Sequence, residues 1–125
     1  MKAGLALGWI WLALAMPCIA RADGDAAAGQ AVFEKTCKGC HTIGRAAQHA
    51  FGPELNGLIG RKAGSMPGYK YSDEMQASGI VWSEANLTAF VAAPTDVVPG
   101  TRMHFWGLSD PQKVADLLAW LKANP

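Results

Sequence analysis

Cys37-Lys38-Gly39-Cys40-His41 constrains this 125-residue chain more than any other segment. Two thiols separated by two residues on one turn can each form a thioether with one of two neighbouring porphyrin vinyl groups. The next side chain then falls under the macrocycle, where an imidazole nitrogen reaches the iron. Two other chemistries share the Cys-x-x-Cys spacing. A redox dithiol usually opens a helix in a βαβ setting, and no such pattern surrounds these residues. A structural zinc site needs two further ligands at suitable spacing, and no second cysteine pair exists. The segment points to one covalently attached haem c and to a domain that folds around it.

The length fits a single domain preceded by a leader. Met1-Lys2 gives a short positive start, Ala3 to Ile19 runs almost wholly apolar, and Ala20-Arg21-Ala22 has the small-x-small pattern of a signal-peptidase site. The expected organisation is a cleaved signal peptide over 1–22 and a haem domain over 23–125, exported to the periplasm. An uncleaved anchor is the rival reading, although the run is slightly short for a span of about 20 residues. A lipid-modified Cys18 fits less well, because Pro17 stands where a small residue belongs. Losing Lys2 and Arg21 from eleven basic residues leaves nine, against ten acidic ones. That balance excludes a nucleic-acid binder. A domain this small buries only about 60% of the surface that its open chain exposes, so a large apolar cofactor at its centre adds needed core.

The helical signals sit at the ends of the mature chain. Asp25 caps a first helix running to Thr36, with Val32 and Phe33 as its apolar positions. Gly29 is awkward inside it, costing about 1 kcal/mol against alanine. The last helix begins at Ser109-Asp110-Pro111-Gln112, which resembles a capping box with proline in the first turn. Val114, Leu117, Leu118 and Leu121 then form one stripe bordered by Trp120. Ser83 starts a helix carrying Leu87, Phe90 and Val91 and stopped before Pro94, and a shorter helix spans Ser72 to Ser78, ending at Gly79. Ile43 to Tyr71 is glycine-rich and reads as loops. No strand pattern stands out, so the fold class is all-α with long loops.

A second axial ligand has several candidates on residue type alone: Met66, Met75, Met103, His49 and His104. Pro99-Gly100-Thr101 forms a tight turn that is able to present Met103 inward, while His104, its neighbour, cannot easily share that direction.

Taken together, Gly29, Phe33, Cys37-x-x-Cys40-His41, Gly52-Pro53-x-Leu55, Gly57-Leu58-x-Gly60-Arg61, Pro67-Gly68-Tyr69, Trp82, Pro99-Gly100-Thr101-x-Met103 and the terminal helix resemble a class I cytochrome c of the mitochondrial and bacterial c2 type. The resemblance covers essentially the whole mature chain. It implies the small cytochrome c fold, with N- and C-terminal helices crossing at Gly29 and loops wrapping one haem. It implies thioethers at Cys37 and Cys40, with His41 and Met103 as axial ligands. It also implies that Pro53 accepts a hydrogen bond from the His41 ring, that Arg61, Tyr71, Trp82 and Thr101 surround the propionates, and that His49 ties two loops together.

Three residues depart from the mitochondrial pattern. Phe90 replaces a tyrosine whose hydroxyl reaches the axial sulfur, Met75 replaces a buried polar residue, and Arg102 replaces a lysine. Arginine stays protonated and is a poor iron ligand. Lys38, Arg61, Lys62, Lys70 and Arg102 are candidates for a docking face. The implied function is a soluble, monomeric one-electron carrier and not an enzyme. Its partners would be a cytochrome bc1-type complex, a terminal oxidase, a reaction centre or a dehydrogenase. The alternatives are a fixed or membrane-anchored haem subunit, and a haem enzyme or sensor with an open iron site.

Overall fold

The structure, a computed structural model, describes residues 23–125; the leader and its cleavage site lie outside the described residues. Five helices follow one another: α1 (Ala26–Thr36), α2 (Asp73–Ala77), α3 (Glu84–Ala92), α4 (Pro94–Val97) and α5 (Pro111–Lys122). Among the described residues the only β pairing is one isolated antiparallel bridge between Lys62 and Val81. The all-α expectation holds.

The fold is organised by the crossing of α1 and α5. Asp25 caps α1 by accepting from the Ala27 N–H at 2.8 Å and the Ala28 N–H at 3.3 Å, which satisfies two of the donors a helix start leaves open. Gly29 and Phe33 are the buried positions of α1. A Cβ on Gly29 would overlap the Asp116 carbonyl and lie 2.8 Å from Trp120 Cβ, so α5 crosses where α1 has no side chain. Phe33 lies against Trp120 with ring centroids 4.5 Å apart. Val114, Leu117, Leu118 and Leu121 are all buried, as their spacing predicts. Burying such a stripe removes roughly 1.5–3 kcal/mol of exposure cost per large side chain.

Two local expectations need correction. The start of α5 is capped by Asp110, which accepts from Lys113 N–H at 3.0 Å, and not by Ser109. No Ser109–Gln112 box forms, because the Gln112 amide donates to Asp116 at 2.9 Å. Pro94 does stop α3, but it also opens α4 from its first turn, a position where the missing N–H costs nothing. Among the described residues a capping box lies instead at α3, where Ser83 and Asn86 exchange bonds of 3.2 and 2.7 Å.

The loops from Ile43 to Tyr71 are cross-linked by side chains instead of helix ladders. Asn56 bridges to Gly44 with both amide atoms, at 2.8 and 2.9 Å. His49 donates from Nε2 to the Pro67 carbonyl at 2.8 Å and accepts from the Glu54 N–H at 3.2 Å on Nδ1. These bonds give the backbone of an extended loop the partners it would otherwise take from water.

Candidate functional site

The attachment segment is wound onto the end of α1. The Cys37 and Lys38 N–H groups both donate to the Phe33 carbonyl, at 2.8 and 2.9 Å, and the Cys40 and His41 N–H groups both donate to the Cys37 carbonyl, at 3.0 and 2.9 Å. This tight turn places Cys37, Cys40 and His41 on the wall of one cavity of about 390 Å³. No disulfide joins Cys37 to Cys40. Burial, with a smaller contribution from Cys40, pushes the Cys37 thiol up to about 11, so it faces an apolar interior in its neutral form.

His41 is oriented by its neighbours. Its Nδ1–H donates to the Pro53 carbonyl at 2.8 Å. That bond selects the tautomer in which the Nε2 lone pair is free. Burial lowers the His41 pKa below the ordinary imidazole value; the Pro53 carbonyl opposes this, and the positive charge of Arg61 adds to it. Gly52 completes the seat: a Cβ there would overlap the imidazole, reaching within 2.6 Å of Nδ1. Only glycine lets the backbone pass so close to the ring.

Just before Met103 the chain makes the expected turn. Thr101 N–H donates to the Val98 carbonyl at 3.0 Å, and Gly100 sits at φ +88, the arrangement of a turn with proline second and glycine third. Thr101 is buried and accepts from Met103 N–H at 3.2 Å. Met103 is half-buried and lines the same cavity as His41. Of the other candidate ligands, Met75 and His104 also line it, whereas Met66 and His49 do not. His104 is exposed.

Pro53, Arg61, Tyr71, Trp82 and Thr101 all line the cavity. Trp82 is buried and packs on Phe90 at 4.9 Å. Arg61 departs from the docking role expected of it: its guanidinium, only 13% exposed, donates to the Asn56 and Glu54 carbonyls at 2.8 and 3.0 Å. It is a loop clamp at the cavity wall and not a free surface cation. Sequence reasoning missed this because the two acceptors are backbone atoms, which leave no trace in residue type. Phe90 and Met75, the departures noted above, leave that part of the wall apolar.

The residues fit a flat, largely apolar group that carries carboxylates. Two thiols and an imidazole nitrogen open onto one wall, a thioether sulfur lies in the same cavity, and the remaining lining is mostly apolar. Its charged members are Arg61, Lys62 and Arg102, with no carboxylate among the described residues that line it.

Comparison with known proteins agrees with this fit. The family model for cytochrome c matches residues 26–125. Cytochrome c2 of Rhodomicrobium vannielii is 46% identical over 121 residues, covering 97% of this chain and 95% of that protein. Cytochrome c2 of Blastochloris viridis is 47% identical, covering 78% and 76%. Among solved structures, cytochrome cH from Methylobacterium extorquens superposes with a TM-score of 0.75 at 45% identity, covering 81% of this chain and all of that one.

Proposed function

Because the chain belongs to the cytochrome c family and therefore carries one covalent haem c as an electron carrier, not an enzyme, we propose that its iron is held between His41 and Met103. The haem, when bound, supplies a one-electron change between ferric and ferrous iron; the protein sets its potential and its access.

Cys37 and Cys40 anchor the group by thioethers. His41 offers Nε2 to the iron while Pro53 holds its Nδ1–H, a partnership that also strengthens the ligand. Met103 offers its sulfur from the turn that Pro99 and Gly100 set. A thioether and an imidazole as the ligand pair would favour the ferrous state relative to two imidazoles and so raise the potential. Tyr71, Trp82 and Thr101, which line the cavity, would donate to the haem propionates, and Arg61 holds the adjoining loop and adds positive charge. With His41 and Met103 both bound, the protein would fill the positions that a substrate needs on the iron, which suits electron exchange.

The observation that carries this reading is the 2.8 Å bond from His41 Nδ1 to Pro53, which leaves Nε2 free in a cavity that Met103 also lines. A leader cleaved behind Ala22 would deliver the carrier to the periplasm, where a bc1-type quinol-oxidising complex or dehydrogenase would serve as donor and an oxidase or reaction centre as acceptor. The 121-residue alignment with the Rhodomicrobium protein supports the leader, because it must include most of residues 1–22.

The test is optical and by mass. The native protein should exceed its polypeptide mass by one haem and start near Asp23. Its ferric spectrum should show a methionine–iron charge-transfer band that Met103→Ala abolishes. A high-spin ferric spectrum in the unmodified protein rules out the ligand assignment.

A further inference from the structure

Trp106 stands wholly in water. Its relative exposure is 103%, against 87% for Phe51 and 54% for Val81, the other large apolar residues on the described surface. Single exposed apolar residues are ordinary, but the placement of this one is specific. Met103, His104 and Phe105, immediately before it, line the haem cavity. Three peptide links keep its Cα within about 11 Å of that of Met103.

The backbone directly after the indole is fastened down. Gly107, at φ +99, lies so close to α3 that a Cβ would overlap the Ala92 carbonyl. The Leu108 N–H then donates to the Val91 carbonyl at 2.7 Å. The indole is therefore presented outward from a seated strap, and slack in the loop does not account for it. Phe51 lines the same cavity while almost fully exposed, beside the Gly52 seat of His41. Lys62 and Arg102 line it and are exposed, and Arg102 is steadied by a 3.0 Å bond to the Lys70 carbonyl.

Aromatic bulk four residues along the chain from the exposed cation Arg102, next to a cavity whose described lining holds no carboxylate side chain, complements an apolar socket ringed by acidic side chains. A second copy of this chain is the wrong occupant, because a two-fold contact through this patch would set cation against cation. We infer that Trp106 is the apolar anchor of the electron-transfer contact, seated in a carboxylate-rimmed socket of a redox partner protein. This rests on the carrier reading above. Lys62 and Arg102 orient the encounter, whereas burial of the indole slows departure; charge acts mainly on association and packed aromatic anchors on dissociation.

The experiment supplies the ferrous holoprotein as sole electron donor to membrane vesicles from the producing organism and follows haem oxidation. Trp106→Ala should raise KM about tenfold, the size of a modest anchor lost, with an unchanged haem spectrum and an unchanged dependence of log KM on ionic strength. Trp106→Phe should recover most of the loss. The Lys62→Gln, Arg102→Gln pair should instead flatten the salt dependence. Oxidation with an unaltered KM in Trp106→Ala overturns the anchor and leaves the carrier standing. Failure of the vesicles to oxidise the unmodified protein overturns both. A dimer in sedimentation that Trp106→Ala dissolves gives the indole to a second copy and overturns the proposal.

Discussion

Arg61 shows how much one side chain carries in a domain held together by loops. Its planar fork reaches two carbonyls five and seven residues back in the chain, at 2.8 and 3.0 Å, from a position 13% exposed. The Glu54 carboxylate, 4.0 Å away, adds little geometric demand. Lysine keeps the charge but cannot hold two divergent acceptors at once. Arg61→Lys should therefore cost about 1–2 kcal/mol, one net hydrogen bond plus a partly unsatisfied carbonyl, seen as a lower urea midpoint at constant slope. An unshifted midpoint would mean that water replaces the fork without penalty. Tyr71, on the same wall, makes a separate prediction for alkaline solution. Burial holds its phenol above the ordinary value of 10.0, with Met66 and Arg61 opposing less strongly. Below pH 10 the phenol is neutral in both states and contributes no pH dependence. As pH rises past 10 the unfolded chain loses this proton first, so stability falls until the folded phenol ionises as well. Tyr71→Phe should lose less stability between pH 9 and pH 11 than the unmodified protein. Equal losses in chemical denaturation at the two pH values would remove Tyr71 as a cause.

At the scale of elements, the crossing of α1 and α5 is where local preference and packing oppose each other. Alanine at position 29 gains about 1 kcal/mol in helix propensity. Its Cβ would nevertheless meet the Asp116 backbone, which cannot rotate away as a flexible side chain would. Overpacking of this kind costs typically 1–3 kcal/mol, and a backbone neighbour puts it at the upper end. Gly29→Ala should therefore destabilise by about 2 kcal/mol net, measured by guanidinium unfolding; a stabilised variant would show that the helices shift apart freely. Gly29 was legible in the sequence as an anomaly because helix propensity is a local property. So were the Ser83 and Ser72 starts, the stripe of α5, and the attachment turn, each of which depends on residues within one or two turns. Asp116 was not legible. It lies inside that apolar stripe, is buried, and accepts from Asp25 N–H at 2.8 Å across 91 positions as well as from Gln112. A partner that is a distant backbone donor has no signature in residue type. The same applies to α4, because a proline that ends one helix does not announce that it begins another. In the site, His41, Pro53 and the Met103 turn could be read from motif, whereas the exposure of Trp106 depends on how the strap is seated on α3, a tertiary contact.

For the molecule as a whole, the distribution of charge matters more than its sum. Over residues 23–125, nine basic residues face ten acidic ones, so this part of the polypeptide has almost no net charge to attract a partner from afar. Several carboxylates lie along the helices and their caps, at Asp25, Glu34, Asp73, Glu74, Glu84 and Asp110, while the cavity mouth is lined by cations. Exposed Lys62 and Arg102 at the cavity, on a chain with so little net charge, favour orientation over long-range attraction. In physiological salt, fields between exposed charges fade over about 8 Å, so this arrangement turns the carrier as it arrives but does little to draw it in. The second-order rate with an acidic redox partner should consequently fall less than about tenfold between ~10 mM and ~150 mM salt, at the low end of the range of electrostatic steering. Stopped-flow oxidation across that range measures the slope. A fall of a hundredfold or more would mean that the mouth's cations act as a concentrated patch undiminished by the carboxylates elsewhere on the chain. A shallow slope would instead leave most of the complex's lifetime to uncharged contact at the rim.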